Sequence, residues 1–370
     1  MVGTCLLCRY KIKGEEKMFQ RTRALTIFGI AVLLTLSLVG SVQAKALVFG
    51  MTGRDMTPPY ARAIEAGAEK KAHELGVKLL LKDSQNDILK QLSHIDSFIV
   101  MGVDAVLFEG TIDTRAIVRG IEKLNKKGIP IVALDNSPEG GKVAYWVSFD
   151  IEDASRKAAE SFIGGIKAKH EGKIPEGVVL EITGALGDGF ANDCTKGFDS
   201  VLNKYPGLTV VQGEGKWNNI DSFKRTSDLL TRYKGQIIGI YVHTPDIMGQ
   251  GVVQAIETAG LNPADYSISG ICMGPEGREL IKEGKIYSIV QQPAMASAEI
   301  GVQLLYDIVT GKTDLPKKGE ILNVPNAHWS PAPIVDNPRC NGLMIKLNAP
   351  VVPQEVKADD PRLWENILTK

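Results

Sequence analysis

Short apolar runs alternate with stretches of helical period along most of the chain, beginning at Lys45. A strand is predicted over 46–51. It leads to a helix near 59–75, in which Ile64, Ala68, Ala72 and Leu75 recur at helical spacing and form a buried stripe. Then follow a strand over 77–81, a helix ending near 101, a strand over 105–108, a helix ending near 127 and a strand over 129–134. These strands are apolar at successive positions rather than at alternate ones, the pattern of a parallel sheet covered on both faces.

A second series of the same kind starts after about Asp150. Helices are predicted over 151–169, 189–204, 220–233, 247–259 and 275–283. Strands are predicted over 177–182, 208–212, 236–242, 266–271 and 286–290. The fold class this implies is α/β, with two doubly wound, mostly parallel sheets. The halves repeat in architecture without residue-by-residue similarity. After a further helix over 295–310, the stretch 315–361 carries Pro316, Pro325, Pro331, Pro333, Pro338, Pro350 and Pro353, which suit extended crossings and turns more than a third domain.

The first 44 residues follow a different pattern. Arg21 and Arg23 precede an apolar run over 25–39, and Val42 and Ala44 place small residues where a signal peptidase cuts, so 18–44 reads as a secretory leader cleaved after Ala44. A spanning helix needs about 20 apolar residues, more than this run supplies. No cysteine directly follows the run, which argues against a lipoprotein. Residues 1–17 read as an upstream extension, because the leader is complete from Met18. Their Cys5 and Cys8 have no second pair to complete a metal site.

Without the six basic and two acidic residues before Lys45, the chain's 43 basic and 43 acidic residues become 37 and 41. A mild acidic excess argues against a nucleic-acid partner, which calls for concentrated Lys and Arg. Three cysteines remain, Cys194, Cys272 and Cys340, so at most one disulfide can form within the chain. His73, His94, His170, His243 and His328 show neither metal-ligand spacing nor a grouping with a nucleophile. Gly187-Asp188-Gly189 lacks the lysine of a phosphate loop. No catalytic residue, metal ligand or cofactor is therefore expected.

Five stretches, TPPYARAIEAGAEKKAHELG (57–76), LLLKDSQND (79–87), GIPIVALDNS (128–137), QAIETAG (254–260) and GPEGRELIKEGKIYSIVQQP (274–293), together resemble the periplasmic sugar-binding proteins of ABC transporters, of the ribose- and galactose-binding type. The resemblance runs from about 46 to 311. It implies a type I periplasmic binding fold, with one lobe from 45–148 and 291–317, the other from 149–290, a multi-strand hinge, and a tail over 318–370 that recrosses between lobes. It also implies a monomer in the periplasm that closes on a small polyhydroxylated ligand and delivers it to an inner-membrane ABC permease. A receptor for a furanosyl autoinducer or a chemotaxis signal shares these lobes and stays open as an alternative, and an enzyme acting on a small polyol is a more remote one.

A sugar presents apolar C–H faces and a rim of hydroxyls, so its site needs aromatic plates and fixed hydrogen-bonding groups. By the resemblance, Tyr60 and Trp217 are the plates, each of which could instead pack under a loop. Asp135 follows the apolar strand IPIVAL and matches the aspartate that accepts from sugar hydroxyls through charge-assisted bonds. Asn136 stands beside it, Gln291 matches a glutamine that donates and accepts, and Asn192 stands where the family has an arginine. Asp55, Arg54 and Glu109 occupy early strand-end loops. Two departures stand out: His243-Thr244-Pro245-Asp246 replaces an Asn-Asp pair, and Cys272 replaces an aspartate. A thiol is a poor hydroxyl acceptor, which favours a smaller sugar, a polyol or a furanose over a standard pyranose.

Overall fold

The computed structural model describes residues 46–368. The leader and the extension before it lie outside the described residues. Two α/β lobes are built from two separate sheets. The first has eight strands in the order β11-β12-β13-β5-β4-β3-β1-β2 and the second six in the order β14-β10-β9-β8-β6-β7.

In the first lobe β1 (Val48–Gly53), β2 (Lys78–Asp83), β3 (Ala105–Glu109), β4 (Ile131–Leu134) and β5 (Lys142–Phe149) run parallel. Their helices are α1 (Pro59–Glu74), α2 (Ile88–Met101) and α3 (Val118–Lys126). Successive residues feed opposite cores. Leu107, Val132 and Leu134 pack beneath α1 with Ile64 and Ala68, whereas Val106, Phe108, Ile131 and Ala133 pack with Ile95, Phe98 and Ile121 of α2 and α3. The unbroken apolar runs of the sequence are thus the mark of a sheet with no wet face.

The second lobe repeats the plan with β6 (Gly177–Thr183), β7 (Leu208–Glu214), β8 (Ile237–Val242), β9 (Ser267–Ile271) and β10 (Ser288–Val290). Its helices are α4 (Ile151–Lys169), α5 (Gly189–Leu202), α6 (Asn219–Arg232), α7 (Pro245–Thr258) and α8 (Pro275–Lys282). Side-chain caps fix several helix starts. Asp150 accepts the Asp153 N–H at α4, Asp188 the Phe190 N–H at α5 and Asn218 the Asp221 N–H at α6.

The strand β5 was not foreseen in the sequence. It joins β4 through the short loop 135–141 with no intervening helix, so it breaks the alternation on which the reading rested. After β10 the chain returns to the first lobe as α9 (Ala294–Val309), which packs against α1. The Pro-rich stretch then supplies β11 (Ile321–Leu322), β12 (Ala332–Asp336) and β13 (Asn341–Leu347) to the first sheet, and β14 (Val351–Val352) to the second, before the short α10 (Trp364–Ile367).

The chain therefore passes between sheets three times, at 149–151, 291–293 and 348–350. The Gln291 N–H donates to the Pro350 carbonyl at 2.9 Å, and Lys157 Nζ donates to Asn348 Oδ1 at 2.8 Å, so the crossings lie side by side. The buried Trp364 indole donates to the Gln292 carbonyl at 2.9 Å and ties the tail to the second crossing. Cys194, Cys272 and Cys340 are free thiols. No helix among the described residues is long and apolar enough to cross a membrane.

Candidate functional site

A cavity of about 330 Å³ lies between the lobes, at the carboxyl ends of the strands of both sheets. Open α/β sheets bind ligands there because strand ends and helix starts present backbone groups around a concave surface. Each strand end contributes in turn. Arg54 and Asp55 follow β1, Asn86 follows β2, Glu109 closes β3, and Asp135 and Asn136 follow β4. From the second lobe come Asp188 and Phe190 after β6, Trp217 after β7, Thr244 and Asp246 after β8, and Cys272 after β9. Tyr60 enters from the first turn of α1, and Gln292 from the second crossing.

On the first-lobe wall the polar groups hold one another. The Arg54 N–H donates to both the Glu109 carbonyl and Glu109 Oε2, each at 3.1 Å. Its Nε donates to Asn86 Oδ1 at 2.9 Å, and Asn86 Nδ2 donates to Asp55 Oδ2 at 2.8 Å. Burial, reinforced by Asp135, holds the Glu109 carboxyl well above the usual carboxylate range, against the pull of the Arg54 N–H and guanidinium. Burial raises Asp135 too, with Arg54 and Arg339 opposing and Asp188 adding to the rise. The Tyr60 hydroxyl is driven up by burial and then by Asp135 and Glu109. Asp135 sits at φ 48°, a left-handed backbone that Asp tolerates better than most residues.

On the opposite wall Trp217, at φ 58°, is fixed by three contacts. Its Nε1 donates to Asp188 Oδ2 at 3.1 Å, Phe190 meets it edge-on at 5.8 Å between ring centroids, and its indole fills the space that a side chain at Gly184 would take. A methyl group at Gly184 would overlap the indole. Gly184→Ala is therefore expected to displace Trp217 and weaken ligand binding about tenfold, as befits loss of an aromatic contact, with the far-UV circular dichroism unchanged. Unaltered affinity in that variant would take Trp217 out of the site.

Beneath Gly184 lies a buried polar chain. The Gly184 N–H donates to His243 Nδ1 at 3.2 Å, so the ring proton sits on Nε2, which donates to Glu181 Oε1 at 2.8 Å. Thr195 Oγ1 and Gln212 Nε2 donate to the same carboxylate, each at 2.8 Å. Burial acts to raise Glu181, but these hydrogen bonds, led by that from His243, outweigh it and leave the carboxyl below its ordinary value.

Thr244 and Asp246 flank Pro245 at the start of α7 and are buried, yet Thr244 Oγ1 and Asp246 Oδ1 have no hydrogen-bond partner. Gly274 leaves room for the Asp246 carboxyl, which any larger residue there would strike. Burial, then repulsion from Glu276, pushes Asp246 up to about 7, with Arg62 acting the other way. Unpartnered oxygens are costly inside a protein unless a ligand meets them. The Cys272 thiol, at φ 64°, is pushed up by burial and by Asp135 and Asp246, so it stays a thiol.

Eight of the ten expected site residues line this one cavity: Asp55, Tyr60, Glu109, Asp135, Asn136, Trp217, Thr244 and Asp246. The other two, Asn192 and Gln291, do not line it. Asn192 is exposed on α5 and lies two residues after Phe190, about 200° around the helix from a side chain that faces the cavity. Gln291 is fully buried with its Nε2 3.4 Å from Glu365 Oε2, and the next residue, Gln292, faces the cleft instead. In extended chain, neighbours point to opposite sides, so a one-residue slip changes the face. Asp188, Phe190, Asn86 and Gln292 were not foreseen as site residues. Among the described residues no cluster of His, Cys, Asp or Glu could hold a metal ion.

Two parallel-sheet lobes thus meet at a polar and aromatic cleft. A family profile described as "Periplasmic binding protein domain" matches residues 49–313, and the chain belongs to that family. It is 28% identical over 274 residues to the ribose import binding protein of Bacillus subtilis, covering 72% of this chain and 83% of that relative. It is 27% identical over 269 residues to the xylitol-binding protein of Mycolicibacterium smegmatis, covering 72% and 74%. Among solved structures, a carbohydrate transporter solute binding protein from Agrobacterium radiobacter in complex with D-arabinose shares the fold. Its TM-score is 0.69, with 22% identity, covering 86% of this chain and 98% of that one.

Proposed function

We propose that this protein is a secreted receptor that closes on a small sugar or polyol and delivers it, as a monomer, to an ABC permease. The observation that carries this reading is one cavity into which the strand ends of both lobes bring Asp135, Thr244 and Asp246 together with the rings of Tyr60 and Trp217. Ligand hydroxyls pair with polar groups of this kind, and the rings of Tyr60 and Trp217 offer apolar faces to C–H groups. The relatives named for ribose and xylitol import, and the family to which the chain belongs, support the same class of ligand. Contacts from both lobes favour the closed form, and a permease distinguishes that form by its joined outer surface.

A thermal-shift screen against pentoses, hexoses, polyols and furanosyl signals tests the reading, because a ligand bound only by the folded state raises the melting temperature. For the best ligand found, Asp135→Ala is expected to weaken binding by about 1–3 kcal/mol through stranding its hydroxyl partners. A screen without any stabilising sugar or polyol would remove the proposed function, and full affinity in Asp135→Ala would remove that residue's role.

A further inference from the structure

The charge on the cavity wall is one-sided. Among the described residues that line it, Asp55, Glu109, Asp135, Asp188 and Asp246 bring carboxyl groups and Arg54 alone brings a cation. Asp55 and Asp188 are already engaged: Asp55 accepts from Thr57 and Asn86, and Asp188 from the Phe190 N–H and the Trp217 indole. Arg54 is directed to the first-lobe wall by its bond to Asn86. Asp246 is left on the second lobe, 6% exposed, with an oxygen that meets no donor and with Arg62 and Glu276 as its opposing charged neighbours.

A neutral polyol can offer hydroxyl donors to these acids but brings no charge, so an ionised Asp246 would be buried without a counter-charge from the ligand, while Arg54 and Arg339 serve Asp135 and Glu109 on the other side. Burying charge without a counter-charge is among the costliest steps a binding site can take. An ammonium group supplies up to three donors and cancels one charge. It is also drawn to the faces of aromatic rings, which Tyr60, Phe190 and Trp217 supply around the same space.

We propose that the cleft prefers a polyhydroxylated ligand bearing a protonated amine, an amino sugar or amino polyol, whose ammonium group is received by Asp246 beside Thr244. The inference rests on the reading of this cleft as a polyol site.

Matched pairs test it on the purified protein by calorimetry and thermal shift at neutral pH. They are D-glucosamine against D-glucose, D-galactosamine against D-galactose, and 1-amino-1-deoxy-D-sorbitol against D-sorbitol, with the N-acetylated amino sugars as controls that keep the nitrogen and lose the charge. At least one amine is expected to bind about tenfold or more tightly than its parent and than its acetylated form, the scale of one desolvated charge contact. Asp246→Asn, which keeps the shape and removes the charge, is expected to abolish that preference by weakening the amine at least tenfold more than its neutral parent. Binding of neutral parents with no gain from any amine would overturn the inference and leave the polyol reading standing. Absence of any shift with both series would sink the two together. A preference that survives Asp246→Asn would overturn the assignment of the ammonium to Asp246.

Discussion

Glu181→Ala is expected to lower the free energy of unfolding by about 3–5 kcal/mol, the scale of losing two hydrogen bonds to a buried carboxylate at about 1.5–3 kcal/mol each. The carboxylate is fully buried and accepts from His243 Nε2, Thr195 Oγ1 and Gln212 Nε2. Alanine would strand the buried His243 donor and the half-buried Thr195 hydroxyl, whereas the exposed Gln212 amide can turn to water. His243 cannot compensate by turning, because its Nδ1 is held by the Gly184 N–H. The same hydrogen bonds keep Glu181 below its ordinary pKa despite its burial. Its contribution is therefore present above the unfolded value near 4.3 and is lost as pH falls through the lower folded value. Urea denaturation at neutral pH measures the loss, and a decrease under about 1 kcal/mol would show that the network is no stronger than an ordinary surface pair. Since Trp217 fills the space beside Gly184, this variant should also loosen the aromatic wall of the cleft.

The lobes were legible in the sequence because continuous apolar runs such as Ile131–Leu134 and helical stripes such as that of Ile64, Ala68 and Ala72 are local signals, and the sheets use them as such. The strand β5 was not, because its place beside β4 depends on a loop crossover and not on any period in Lys142–Phe149. For the cleft, residue type and loop position were enough to gather Asp135, Tyr60 and Trp217. Side-chain direction at a strand end was harder to read. Asp135, Trp217 and Cys272 all adopt left-handed backbone that re-aims their side chains, and the exchange of Gln291 for Gln292 turns on where β10 stops. Asp188 reads locally as a helix cap, and only the fold brings Trp217 within reach of its second oxygen.

Asp246 leads to the opposite dependence on pH. The ligand-free protein is expected to lose stability as pH rises from about 4 to about 7, by up to about 4 kcal/mol from this residue alone. A carboxyl raised from 3.8 to about 7 represents roughly three pKa units, each worth about 1.4 kcal/mol. The folded form keeps a proton that the unfolded chain releases above its own pKa, so each increment of pH between the two values favours unfolding, and the slope vanishes above the folded value. Asp246 is faced by Glu276 and Arg62, with Cys272 and Glu365 also within electrostatic reach. Glu109, Asp135 and Glu365 are raised as well and add slope of the same sign. The diagnostic quantity is therefore the difference between the wild type and Asp246→Asn, each denatured in urea across pH 4–8. The variant should lose most of the part of the slope owed to residue 246, and a variant as steep as the wild type would mean that the Asp246 carboxyl is ionised in the ligand-free protein. A ligand that donates to this oxygen stabilises the carboxylate form, so saturation should flatten the wild-type curve over the same window and release a proton on binding near neutral pH. Thus one buried carboxyl couples the stability of the ligand-free protein to the chemistry of the ligand it binds.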